Sequence, residues 1–166
     1  MDKNPKVAII MGSDSDLPIV TKAIKVLKEF KVDFEVRVIS AHRTPDQASS
    51  FAKEAEAKGF DIIIAAAGKA AHLPGVLAAY TVLPIIGIPI KSSALDGMDA
   101  LLSIVQMPSG IPVATVGIDG AENAGLLAVE MLSIKYAYLR EALKFHRESM
   151  MQGVIKKDER IRTEEF

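Results

Sequence analysis

Val7-Ala8-Ile9-Ile10-Met11-Gly12-Ser13-Asp14-Ser15-Asp16 is the stretch that decides how this chain folds. Its apolar residues run without alternation, the pattern of a strand buried on both faces, and end abruptly in a polar turn. A helical pattern follows at once: Leu17, Val20, Ile24 and Leu27 recur at spacings of three, four and three, giving one apolar stripe. Ser15 or Asp16 suits the cap of that helix, and Pro18 fits its first turn.

The same alternation continues down the chain. A second strand covers roughly 33–39 and leads into Ser40-Ala41-His42-Arg43-Thr44-Pro45. Thr44 and Gln47 have capping-box spacing, and Pro45 sits at a first helical position, where its missing N–H costs nothing. That helix carries Ala48, Phe51, Ala52 and Ala55 inward and stops at Gly59, a residue suited to a left-handed cap. Asp61 to Ala65 begins a third buried strand, followed by the segment Ala66 to Gly75 and a helix through about Thr81. Leu83 to Ile88 reads as a fourth strand bounded by Pro84 and Pro89, and Gly97 to Met107 as a helix ended by Pro108. Val113 to Ile118 is the fifth strand. After Asp119-Gly120 the pattern predicts one long helix with Leu126, Leu127, Leu132, Leu139, Leu143 and Phe145 among its apolar positions. The charged end reads either as a frayed tail or as an arm packing on a neighbouring subunit. The expectation is one α/β domain over 1–166, with a core of about 6–148, a tail or arm at 149–166 and a five-stranded parallel sheet wrapped on both faces.

Composition narrows the function classes. Hydrophobic residues make up 49% of the chain, high for a soluble monomer of this length, so subunits are expected to cover one another. A net charge of −1, few aromatic residues and no Trp leave no electrostatic or stacking footprint for nucleic acid. The absence of Cys excludes disulfides, thiol catalysis and thiolate metal sites. The first residues lack a signal-peptide apolar core, and the most apolar region, 61–90, is broken by Lys69, His72, Gly75 and several prolines, so no membrane span is expected. A cytoplasmic protein is the default.

In such a sheet ligands bind beyond the carboxyl ends of the strands, near the point where strand order reverses. The loops there hold Ser13 and Asp16, then Ser40, His42 and Arg43, then Gly68, Lys69 and His72, then Lys91, Ser92 and Ser93. The Gly12–Asp16 turn has the position of a phosphate loop but carries two aspartates, which oppose an anion unless Arg43 or Lys69 offsets them; simple helix capping explains the same residues. A metal site on Asp14 and Asp16 lacks a further acidic ligand, and a zinc shared by His42 and His72 lacks a third donor, so no metal is expected. His42, on a polar loop, suits general acid–base work. His72, beside Leu73 and Pro74, reads equally as a ligand contact or as packing, and His146 as part of a solvated helix face. The apolar run Leu101 to Met107 suits the interior or a subunit contact. A receiver-type signalling domain is excluded by Ala65-Ala66-Ala67, where it needs an acidic phosphate acceptor. A flavin carrier would supply aromatic rings, and Tyr80, Tyr136 and Tyr138 all fall in expected helices.

Four motifs in order, Met11 to Asp16, Ser40 to Pro45, Ala70 to Gly75 and Ser103 to Pro108, resemble the PurE family of purine biosynthesis, from about residue 6 to residue 135. The Ala70–Gly75 version resembles class I, the N5-carboxyaminoimidazole ribonucleotide mutases; class II, the carbon-dioxide-dependent aminoimidazole ribonucleotide carboxylases, carries a different segment. The resemblance implies a flavodoxin-like three-layer sandwich assembled as a homo-octamer, acting without cofactor. It implies His42 as general acid–base, Asp16 and Arg43 flanking the ribose phosphate, and Ser13, Ser40, Gly68, Ala70, His72 and Leu73 as further substrate contacts, with His72 toward the carboxylate. Ala66 and Lys69 stand where the family pattern has glycines. A lysine is costly at 69 if the backbone there needs a positive φ, and its ammonium could engage a carboxylate or phosphate. A non-catalytic nucleotide-binding module is the alternative outside the enzyme class.

Overall fold

In the computed structural model, which describes residues 4–164, strands and helices alternate from one end to the other. In chain order they are β1 (Lys6–Met11), α1 (Leu17–Glu29), β2 (Asp33–Val38), α2 (Pro45–Glu54), β3 (Ile62–Gly68), α3 (Leu73–Ala78), β4 (Ile85–Ile90), α4 (Met98–Val105), β5 (Ala114–Thr115), α5 (Ala121–Leu132) and α6 (Ala137–Thr163). A single 3-10 turn, Asp14–Asp16, precedes α1.

The five strands form one parallel sheet in the order β2-β1-β3-β4-β5. This is the flavodoxin-like order, and it reverses direction between β1 and β3. The uninterrupted apolar runs follow from covering both faces. Val7, Ile9, Met11, Ile62, Ile64, Ile86 and Ile88 point to one side and pack on α1, α5 and α6. Ala8, Ile10, Ile63, Ala65 and Ile85 point to the other and pack on α2, α3 and α4. Each fully buried isoleucine contributes about 1.5–3 kcal/mol by leaving water.

Several elements differ from the sequence expectation, each for a visible reason. β4 begins and ends two residues later than Leu83–Ile88 and contains Pro89. The Pro89 carbonyl faces the β5 side, where it accepts the Asp119 N–H at 2.9 Å, so the missing N–H removes no bond from the ladder to β3. β5 is a two-residue edge strand, although Val116 and Asp119 extend its contact with β4 through bonds to the Gly87 and Pro89 carbonyls. The long helix expected after Asp119-Gly120 is two helices. Tyr136, with extended backbone, breaks it, and its hydroxyl and the Lys135 ammonium reach Asp61 at 3.4 and 3.3 Å, tying the break to the start of β3. Phe145, named among the apolar positions of that helix, is 78% exposed. The segment expected as a charged tail or arm from 149 is helical through Thr163, as the end of α6. Leu17, at the head of the α1 stripe, is exposed, and Ala23 and Val26 take the inner face beside Val20 and Leu27. The inner residues assigned to α2 are all buried, and Gly59 has a φ of 81° as a left-handed cap requires.

Candidate active site

At the carboxyl end of the sheet the four loops after β1, β2, β3 and β4 enclose one cavity of about 620 Å³. Ser13, Asp16, Ser40, His42, Arg43, Gly68, Ala70 and Leu73 all line it. The turn after β1 is held by its own hydroxyls. Ser13 Oγ accepts the Ser15 N–H at 3.3 Å and the Ser15 hydroxyl at 2.9 Å. Asp16 is buried at the head of α1. Burial pushes its carboxyl above the ordinary range, the Asp14 charge adds to the rise, and hydrogen bonds from Ser15 and the Ser13 backbone oppose it.

The loop after β2 does not form the expected capping box. The Thr44 hydroxyl turns back to Ser40, accepting its N–H and donating to its carbonyl, both at 3.0 Å, and makes no bond to the α2 N-terminus. Thr44 thereby closes a tight loop that presents the residues between. Arg43 reaches across from it: Nη2 donates to the Gly12 carbonyl at 3.0 Å and Nε to Ser40 Oγ at 3.4 Å. It forms no ion pair with Asp14 or Asp16, so the guanidinium binds backbone instead of offsetting those carboxylates.

His42 Nε2 and His72 Nδ1 lie 2.9 Å apart, with the rings edge to face. His72 is not itself on the cavity wall; it stands behind His42 at the start of α3. One nitrogen of this contact donates and the other accepts, with the roles set by the ring tautomers. Among the described residues no group of three or more metal-ligating side chains gathers. Ala41, Ala67, Ala70, Leu73 and Ile90 make the apolar part of the wall, and a Cβ at Gly68 would meet the Ile90 carbonyl oxygen at 3.3 Å.

The cavity also includes residues that sequence reasoning did not assign to substrate. Ser15 is the second hydroxyl of a turn already singled out. Lys91, Ser92 and Ser93 lie on the fourth convergent loop. Ile90 had no signal, because the strand that carries it was placed two residues early. The tyrosines are absent from the wall, and Tyr80 and Tyr136 lie outside the helices expected to hold them.

A doubly wound parallel sheet, a hydroxyl-rich turn at a helix start, an arginine across it and a histidine pair beside it fit an enzyme for a small-molecule substrate. The chain belongs to the AIR carboxylase family, whose model matches residues 6–153. It is 66% identical to the N5-carboxyaminoimidazole ribonucleotide mutase of Pyrococcus abyssi over 88% of this chain and 84% of that one. The Pyrococcus horikoshii enzyme of the same name is 57% identical over 96% of this chain and 90% of that one. The crystal structure of Treponema denticola PurE superposes with a TM-score of 0.86 at 33% identity, covering 95% of this chain and 98% of that one.

Proposed function

We propose that this chain converts N5-carboxyaminoimidazole ribonucleotide to 4-carboxy-5-aminoimidazole ribonucleotide in purine biosynthesis, with 1–166 as one catalytic domain. The observation that carries the reading is the placement of the His42–His72 pair and the Arg43–Gly12 contact at one cavity, in a chain this similar to proteins named for that reaction.

The carboxylate leaves the exocyclic nitrogen as carbon dioxide; the N–C bond pair stays on nitrogen, which takes a proton from His42. The electron-rich C4 then attacks the trapped gas, forming the new C–C bond, and the C4 proton returns to His42. No ATP, metal or biotin enters. Much of the rate comes from holding amine and gas in register, which suits a cavity closed on one side by Gly68, Ala70 and Leu73. Ser13, Asp16, Ser40 and Arg43 would hold the ribose phosphate end, at the start of α1. His72, expected to contact the carboxylate-bearing end, lies off the cavity wall and instead orients His42.

The assembly we propose is a homo-octamer in the cytoplasm, where a phosphorylated substrate is retained. Exposed apolar side chains support self-association: Met98, Leu102 and Val105 lie along one side of α4, and Phe145, Met150 and Val154 lie on α6. Among the described residues no helix is long and apolar enough to cross a membrane. Sedimentation at eight times the chain mass is the expected result; a monomer sinks the octamer.

A carbon-dioxide-dependent carboxylase is the second reading, favoured by the family's description and by a Candida glabrata phosphoribosylaminoimidazole carboxylase, 55% identical over 86% of this chain and 25% of that one. Assays of the purified protein on both ribonucleotides without ATP separate the two. Turnover of the carboxyamino compound supports the mutase, turnover only with bicarbonate the carboxylase, and silence on both a binding module.

A further inference from the structure

We propose that Lys69 is a substrate-positioning residue whose ammonium holds the migrating carboxylate of the ribonucleotide, an inference that rests on the mutase reading above. Lys69 is the first residue beyond β3, on the cavity wall, and its φ is 55°. That left-handed backbone is open to glycine and unfavourable for a long side chain. The turn is tight: the Ala71 N–H donates to the Lys69 carbonyl and the His72 N–H to the Ala70 carbonyl, both at 2.8 Å.

Three other non-glycine residues share a positive φ, and each has a local account. Lys31 closes the end of α1, its N–H donating to the Lys28 carbonyl while Val32 donates to Leu27. Asp96 pairs with the Lys91 ammonium at 3.1 Å, and Asp119 accepts the Lys91 N–H at 2.9 Å. Lys69 closes no helix, and its ammonium forms no ion pair among the described residues. A strained backbone that carries an exposed charge into a cavity points to function.

Charge placement names the ligand. Three cations line the cavity, Arg43, Lys69 and Lys91. Arg43 is tied to the Gly12 carbonyl near the start of α1, where the phosphate fits, and Lys91 is paired with Asp96. Lys69 is left, on the same loop as His72 and three residues before it, at the proton-transfer end of the wall. The substrate's second anionic group, its carboxylate, belongs there. The reaction passes through neutral carbon dioxide, so an ammonium holding the carboxylate stabilises bound substrate and product more than the transition state. Its loss therefore falls on affinity, not on the chemical step.

The test uses Lys69→Met and Lys69→Gly in the full-length protein. It measures kcat and KM for N5-carboxyaminoimidazole ribonucleotide, and calorimetric Kd for 4-carboxy-5-aminoimidazole ribonucleotide and for aminoimidazole ribonucleotide, which has the phosphate and lacks the carboxylate. The expected result is a rise of about tenfold in KM and in Kd for the carboxylated product. The rise shrinks as ionic strength is raised, aminoimidazole ribonucleotide binding is unchanged, and Lys69→Arg recovers part of the loss. Lys69→Gly also raises Tm by about 1–3 °C by relieving the backbone, so stability and affinity move in opposite directions. Equal weakening of both ribonucleotides would place the ammonium on the phosphate and overturn the inference, as would unchanged KM and Kd in both variants or a loss confined to kcat. Wild-type protein that binds the carboxylated product but turns nothing over would overturn the mutase reading alone.

Discussion

His42 Nε2 meets His72 Nδ1 at 2.9 Å across thirty residues of chain, so the imidazole on the cavity wall is held by a second imidazole behind it. Both rings are exposed, with centroids 5.1 Å apart. The contact exists because β1 lies between β2 and β3, which brings the loops after β2 and β3 to the same edge. In the proposed reaction this contact fixes the orientation of the ring that gives and regains the proton.

His42→Asn keeps a polar group of similar size and removes the proton carrier. The expected outcome is a fall in kcat of at least about 10²-fold, with product Kd changed by less than about tenfold. Single-turnover rates and calorimetry on the same preparation check it. A near-normal rate would mean that another residue moves the proton.

In the proposed reaction His72 acts through His42, so its variants are expected to behave differently. His72→Asn frees the His42 ring and lowers kcat by roughly 10–10² through misplacement. The double variant His42→Asn/His72→Asn is expected to be no slower than His42→Asn alone, because a positioning group has nothing left to position. A multiplicative loss in the double variant would give His72 an independent chemical role.

How much of this was legible in the sequence divides by the range of the interactions involved. The buried strands, the parallel sheet and the convergence of four loops were readable, because apolar runs and alternating elements are local patterns with few packing solutions. Ser40, His42 and Arg43 were readable as candidates because helix initiation accounts for Thr44 and Pro45 but not for them, whereas helix capping accounts equally well for Ser13. What was missed depends on partners distant in sequence. Thr44 fits a capping box by spacing, yet its hydroxyl goes to Ser40, since the loop's own backbone competes for it. Pro89 looked like a strand boundary until its carbonyl was seen to face β5 and Asp119. Tyr136 breaks a continuous helical pattern at a point fixed by Asp61, 75 residues earlier. Lys69 was noticed, but its left-handed backbone became visible only in the structure.

Asp16 gives a pH-dependent prediction. Burial raises its carboxyl above the ordinary range in the folded chain. The native state therefore holds that proton more tightly than the unfolded one, and the associated stability, complete below the unfolded value, is lost as pH rises through the folded value. Asp16→Asn removes this loss. The variant is expected to melt higher than wild type at about pH 7, with the difference closing below about pH 3, where the carboxyl is protonated in both states. Thermal melts across that range check it. A gain that persists undiminished at the acid end would show that the charge is not its source.

Gly125 sets how closely α5 lies on α1. A Cβ there would meet Val26 Cβ at 2.9 Å and the Cα and carbonyl oxygen of Ala23 at 3.2 Å. In an isolated helix Gly125→Ala would gain about 1 kcal/mol in propensity. Here the new methyl faces backbone and a Cβ, none of which can rotate away, and overpacking of this kind costs about 1–3 kcal/mol. The helices must separate, so net destabilisation is expected, with a Tm fall of roughly 2–6 °C. Val26→Ala cannot rescue it, because the atom in the way is one that alanine retains. Restoration of the wild-type melting point in the double variant, or a Gly125→Ala protein more stable than wild type, would show that α1 and α5 slide apart freely and that the contact does not fix their spacing.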